Sequence, residues 1–362
     1  MNATRLLHDL GQRLWLDNIT RGMLADGTLE RYIRDYSITG LTSNPTIFDH
    51  AIKGGESYDA AIRQKSSAGE SGEALFVDLA LEDLVRAADL FRPIHDASGG
   101  TDGWVSMEVS PLLAGDTAGS FKAASRLHQQ AGRPNLFIKL PGTAAGVGAI
   151  EASIFAGVPI NVTLLFSAEQ YLAVAEAYER GIERRLEAGL SPDVVSVASL
   201  FVSRWDVAVK DKVAPELRNR LGIAVARRTY RLHRERLESP RWRALAAAGA
   251  RVQRLLWAST GAKDPDAADT LYLDGLAAPE TIITIPDQTL IAFADHGRAP
   301  VPMPVDGGDA EQTIAGFGAA GIDVTALADQ LQREGVASFT KSWQDLLDQI
   351  ATKSRVLGRK LG

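Results

Sequence analysis

One lysine stands where an amine is seldom found. In Leu136-Phe137-Ile138-Lys139-Leu140 it sits within an apolar run that is closed by Pro141 and Gly142. If the run is a strand, alternation puts Lys139 on a face with Phe137, while Leu136, Ile138 and Leu140 take the other. Burial disfavours the charged form of an amine, and a neutral amine is a nucleophile toward ketones. Other polar residues fall at comparable places. Asn161 and Thr163 share one face of Ile160-Asn161-Val162-Thr163-Leu164; Asp17 and Asn44 end apolar runs, Glu108 comes late in one, Ser199 lies in another and Ser259 ends a further one. Helix capping accounts for Asn44 before Pro45 and for Ser167 before Ala168, but not for Lys139, Glu108 or the Asn161 and Thr163 pair. A buried polar cluster needs partners, so this one implies a wet or ligand-filled site.

The elements that must position these residues alternate along the chain. Apolar runs at Leu14 to Asn18, Ile38 to Asn44, Trp104 to Val109, Asn135 to Leu140, Pro159 to Ser167, Val194 to Val202, Arg254 to Ser259 and Thr281 to Pro286 read as eight strands. Helical patterns separate them: Thr28 to Tyr36, Glu56 to Lys65, Ala74 to Ala97, Ser120 to Gln130, Ala145 to Phe155, Ala168 to Ala188 and Asp206 to Arg236. This order predicts parallel βαβ units in an α/β fold, either an open doubly wound sheet or a closed (β/α)8 TIM barrel. Eight strands favour closure. We expect one barrel domain over residues 1–362, with extra C-terminal helices from about 308. In such a barrel the carboxyl ends of the strands converge on one mouth, where the polar residues above would meet.

The remaining signals mostly exclude. The chain has 362 residues, 45% apolar and 23% charged, enough to bury a large core. With 39 basic and 45 acidic residues its net charge is −6, which points to neither nucleic acid nor a membrane surface as a partner. It lacks cysteine, so thiolate nucleophiles and thiolate metal sites are excluded. The six histidines show no paired spacing on one face, and neither a metal nor another cofactor is expected. Gly142, Gly146 and Gly148 match neither nucleotide-binding glycine spacing, and helix entry with close packing explains them better. The segment Met1 to Trp15 lacks a signal-peptide core and Val194 to Val202 is too short to cross a bilayer, so the expected compartment is the cytoplasm.

Several stretches together resemble transaldolase, a class I aldolase of bacterial type. They are Leu14 to Asp17, Thr39-Gly40-Leu41-Thr42-Ser43-Asn44-Pro45-Thr46, Ser106-Met107-Glu108-Val109, Ile138-Lys139-Leu140-Pro141 and Ile160 to Ser167, continued by Ser199 to Arg204 and Ala258-Ser259. The resemblance implies a (β/α)8 barrel that moves a dihydroxyacetone unit between sugar phosphates through a Schiff base on Lys139. It implies that Asp17 takes the C4 hydroxyl proton and that Glu108 shuttles protons through a water that Thr163 helps hold. By the same likeness Asn44, Asn161 and Ser199 contact the substrate, and Arg204 and Ser259 hold its phosphate. Many family members carry an arginine two residues after that serine, where this chain has Gly261; Lys263 stands as the replacement cation. Relatives that only cleave fructose 6-phosphate tend to have tyrosine where this chain has Phe201. The alternatives are such an aldolase, or a barrel that binds sugar phosphates without turnover. A monomer or a homodimer fits the sequence equally.

Overall fold

Runs rich in Ile, Leu and Val, cut off by Pro, Gly or Asn, form the strands, and every residue of seven of them is buried. Such continuous burial is what parallel strands covered by helices require. The computed structural model describes residues 2–359. Its eight strands are β1 (Arg13–Leu16), β2 (Ile38–Thr42), β3 (Val105–Glu108), β4 (Leu136–Pro141), β5 (Ile160–Leu165), β6 (Ser196–Phe201), β7 (Arg254–Ala258) and β8 (Ile282–Ile285). All pair in parallel and in sequential order, and β8 closes on β1, so the fold is a (β/α)8 barrel. No helix among the described residues is long and apolar enough to cross a membrane.

Two glycines decide how tightly the barrel packs. A Cβ on Gly40 would lie 2.6 Å from the Trp104 carbonyl and 2.7 Å from Trp15 Nε1, so only glycine lets the Trp15 ring cross the barrel there. Trp15 then lies against Phe137, which stacks on Trp104 with centroids 4.0 Å apart. These aromatics fill the barrel below the polar residues. On Gly146 a Cβ would fall 1.9 Å from the Pro141 carbonyl, because helix Ala144–Phe155 starts hard against the end of β4. Close packing is therefore this glycine's role.

Six of the seven helices expected between the strands are present with ends within a few residues, one long stretch is broken, and helices Ala3–Leu10, Pro45–Lys53 and Pro240–Ala247 stand where none is expected. Instead of one helix from Asp206 to Arg236 there are helices Ser203–Val209 and Leu221–Leu237, with a short 3₁₀ turn Pro215–Leu217 between them. Pro215 lacks the N–H that a continuous helix needs, which explains the break. Pro45 also acts differently from a simple strand terminator. It is the first residue of helix Pro45–Lys53, where a missing N–H costs nothing, and Asn44 caps that helix by accepting from Ile47 N.

After β8 come helices Asp287–His296, Ala310–Ala319 and the 36-residue Val324–Arg359. The last runs over the carboxyl-end mouth. Gln332 Nε2 donates to the carbonyls of Gly142 and Leu164, both at 3.0 Å, and Thr46 Oγ1 donates to Ser342 Oγ at 2.8 Å. Leu164 has φ 59° beside a register shift in β5, so its carbonyl leaves the ladder and Gln332 supplies the partner it lost.

Candidate active site

Register brings the sequence-selected residues together. Glu108 pairs with Lys139 across β3 and β4, Lys139 with Asn161 across β4 and β5, and Pro141 with Thr163 two residues further along. Alternation then turns Lys139, Asn161 and Thr163 inward with Glu108. Lys139 Nζ donates to the Ser43 carbonyl at 3.0 Å and lies 3.6 Å from Glu108 Oε2, with both side chains almost wholly buried. Two cavities flank the Lys139 and Glu108 pair. One is lined by Asp17, Thr42, Asn44, Lys139, Thr163 and Ser199, and continues to Arg204 and Ser259. The other is a small apolar chamber behind Glu108, walled by Phe48, Phe76, Met107 and Trp343.

The electrostatics separate the two carboxyls. Burial among apolar walls pushes the Glu108 carboxyl up to about 7, with Lys139 opposing the rise and Asp17 adding to it. Asp17 is also raised by burial, against the pull of Lys139 and of Thr42, whose Oγ1 donates to Asp17 Oδ1 at 3.0 Å. Thr163 Oγ1 and Glu108 Oε2 are buried without a hydrogen-bond partner in the protein. A buried polar atom left so costs free energy until something binds it, on the order of 1–3 kcal/mol. Asn161, by contrast, is committed from both ends: its Nδ2 donates to Ser106 Oγ at 3.0 Å and its Oδ1 accepts from Ser199 Oγ at 2.7 Å. It lies under the amine as a spacer between strands and does not line the open pocket.

Arg204 stands at the outer side. Its guanidinium lies over the rings of Phe201 and Phe339, 5.3 and 5.8 Å from their centroids, and no carboxylate among the described residues pairs with it. Two aromatic faces thus fix the fork and leave its edge donors open. Ser259 follows β7 with φ 54°, and its Oγ is 3.0 Å from Ser203 Oγ. Lys263 is exposed and lines the adjoining cavity with Ser203, Asp206, Lys210 and Tyr272. It is beside the Lys139 pocket and does not wall it.

Sequence reasoning missed Thr42, the Ser43 carbonyl, Thr284 and Phe339. Thr42 ends β2 and Thr284 is the last but one residue of β8, and both were open to the same alternation argument as Thr163. The Ser43 carbonyl has no side-chain signal, and Phe339 reads as a core position of its helix.

The transaldolase/fructose-6-phosphate aldolase family model matches residues 14–350. The chain belongs to that family. It is 44% identical over 350 residues to the transaldolase of Parafrankia sp., covering 94% of this chain and 95% of the relative. To the transaldolase of Thiobacillus denitrificans it is 43% identical over 359 residues, covering 97% and 100%. A third relative, the transaldolase of Mycobacterium bovis, is 42% identical over 350 residues, 94% of each chain. Family membership and the barrel agree with the resemblance noted in the sequence, and the chain is an enzyme of the transaldolase type.

Proposed function

We propose that this protein transfers a dihydroxyacetone unit from a ketose phosphate, such as sedoheptulose 7-phosphate or fructose 6-phosphate, to an aldose phosphate, as in the pentose phosphate pathway. The observation that carries the reading is the buried Lys139 amine 3.6 Å from a carboxyl poised near neutrality, at the carboxyl-end mouth of the barrel. A group with that pKa gives and takes protons at ordinary pH with little driving force wasted.

As the Lys139 amine attacks the donor's C2 carbonyl, Glu108 takes a proton from the nitrogen while the carbonyl oxygen gains one from solvent through a water held with Thr163, giving a carbinolamine. Glu108 then passes its proton through that water to the carbinolamine hydroxyl, which leaves as water, and the protonated imine forms. Asp17, made more basic by burial, takes the C4 hydroxyl proton. The C3–C4 bond breaks, its electrons pass into the protonated imine, and an aldose phosphate leaves. The enamine then attacks the acceptor's aldehyde, Asp17 returns its proton, and hydrolysis frees the lysine. No metal is required, because the imine accepts the electrons. Asn44 and Ser199 line the pocket where the sugar hydroxyls would lie, and Asn161 keeps Ser199 in place. Arg204 and Ser259 hold the phosphate, with Lys263 as a more distant cation.

Transfer is favoured over plain cleavage by Phe201, which lines the pocket with no hydroxyl to donate. The Val324–Arg359 helix supports this by covering the mouth, which protects the enamine from water. A coupled assay with fructose 6-phosphate and erythrose 4-phosphate tests the reading. It predicts sedoheptulose 7-phosphate and glyceraldehyde 3-phosphate as products, with little free dihydroxyacetone when the acceptor is left out. Rapid release of dihydroxyacetone without an acceptor would make it an aldolase instead.

A further inference from the structure

The amino-end mouth of the barrel holds a second cavity of about 430 Å³, larger than the roughly 100 Å³ pocket at Lys139. Three arginines line it: Arg13, Arg251 and Arg254, against one carboxylate, Glu280. Three of these four charges are already matched. Arg13 Nε lies 3.4 Å from Asp102, Arg251 Nε 2.8 Å from Asp193, and Glu280 accepts from Arg234 at 2.8 Å.

Arg254 is different. It is the first residue of β7 and shares the inward face with Leu256 and Ala258, which line the Lys139 pocket at the other end. It is 8% exposed and has no carboxylate within ion-pair distance among the described residues, although Asp102 and Glu280, each already paired with another arginine, act on it from further away; its side-chain hydrogen bond goes to the Thr101 carbonyl at 2.5 Å. A guanidinium carries five N–H donors, so most of them are unspent in a cavity wall. A buried charge without a partner is costly, and an anion in the cavity removes that cost. The rest of the wall is largely apolar, with Val195, Leu237 and Val252, and its size is that of small-molecule sites.

We propose that this cavity binds a small organic carboxylate, its acid group bridged to Arg254 and its apolar body against Val195, Leu237 and Val252. One unmatched cation calls for a monoanion, and the planar fork fits a carboxylate edge to edge.

Isothermal titration with benzoate tests this. Benzoate should bind saturably at one site per chain, and benzamide, of the same shape but neutral, should not. Arg254→Met should weaken benzoate by about tenfold or more, the scale of a lost charge-assisted contact. Leu237→Trp, which fills the cavity and leaves every arginine in place, should do the same, so the test stands even if the arginine variant folds poorly. Arg204→Met at the opposite mouth should leave benzoate affinity within about twofold. The proposal is overturned if wild-type protein gives no saturable heat with benzoate, if benzamide binds as well, or if folded Leu237→Trp binds benzoate as wild type does.

Discussion

The two mouths of the barrel are built from the same eight strands and handle polarity in opposite ways. At the amino end the buried donors and ions are mostly matched: Asp102 takes Trp15 Nε1 at 3.1 Å and faces Arg13, Gln12 donates to Thr281 Oγ1, and Gln253 donates to Ser196 Oγ. The exceptions there are Arg254, which has no ion pair among the described residues, and the amide oxygens Gln12 Oε1 and Gln253 Oε1, which are buried without a partner. At the carboxyl end the groups that count are left open or under-matched: Thr163 Oγ1, Glu108 Oε2 and the Arg204 fork. The difference teaches that burial alone does not mark a site. Groups matched within the protein hold the barrel closed, while unmatched ones that also line a cavity are kept at a free-energy cost that a substrate can offset.

Substitutions at the two ends should therefore separate activity from stability. The largest effect belongs to Lys139→Met, which removes the nucleophile and leaves an apolar chain in the strand; turnover should fall at least about 10⁴-fold with the fold intact by circular dichroism. Glu108→Gln should lower kcat by about 10² to 10³-fold. Its pH profile is the sharper readout. Wild-type kcat/KM should drop as pH falls below about 7, because the carboxylate must be ionised to take the amine's proton, and the variant should lose that limb. Arg204→Lys keeps the charge but loses the fork and its stacking, so KM should rise roughly 10- to 100-fold with kcat within a few-fold. Asp102→Asn at the amino end should cost about 1–3 kcal/mol in urea unfolding and leave kcat within about twofold. If Asp102→Asn cost activity in place of stability, the division between the mouths would fail.

Much of this was legible in the residues. Parallel strands read as apolar runs bounded by Pro and Gly, and the polar residues interrupting them were conspicuous for that reason. Alternation put Lys139, Asn161 and Thr163 on defined faces of their strands, while the adjacent register of Glu108, Lys139 and Asn161 is set by strand pairing and shows only in the barrel. What stayed hidden depends on tertiary contact. Phe339 comes from a helix whose apolar positions look like any packed face, yet it lines the catalytic pocket and faces Arg204. Lys263 is a phosphate cation only by the family resemblance; the exposed loop after β7 places it in the neighbouring cavity, from which its charge still acts on Asp17. Arg254 opens a strand like any other residue, and only barrel closure leaves it without a partner.

The account rests on the Lys139 amine being the group that reacts. Incubation with fructose 6-phosphate and borohydride, followed by peptide mass mapping, asks this directly. The account predicts one added reduced dihydroxyacetone unit, on Lys139. No adduct, or an adduct on another lysine, would contradict it.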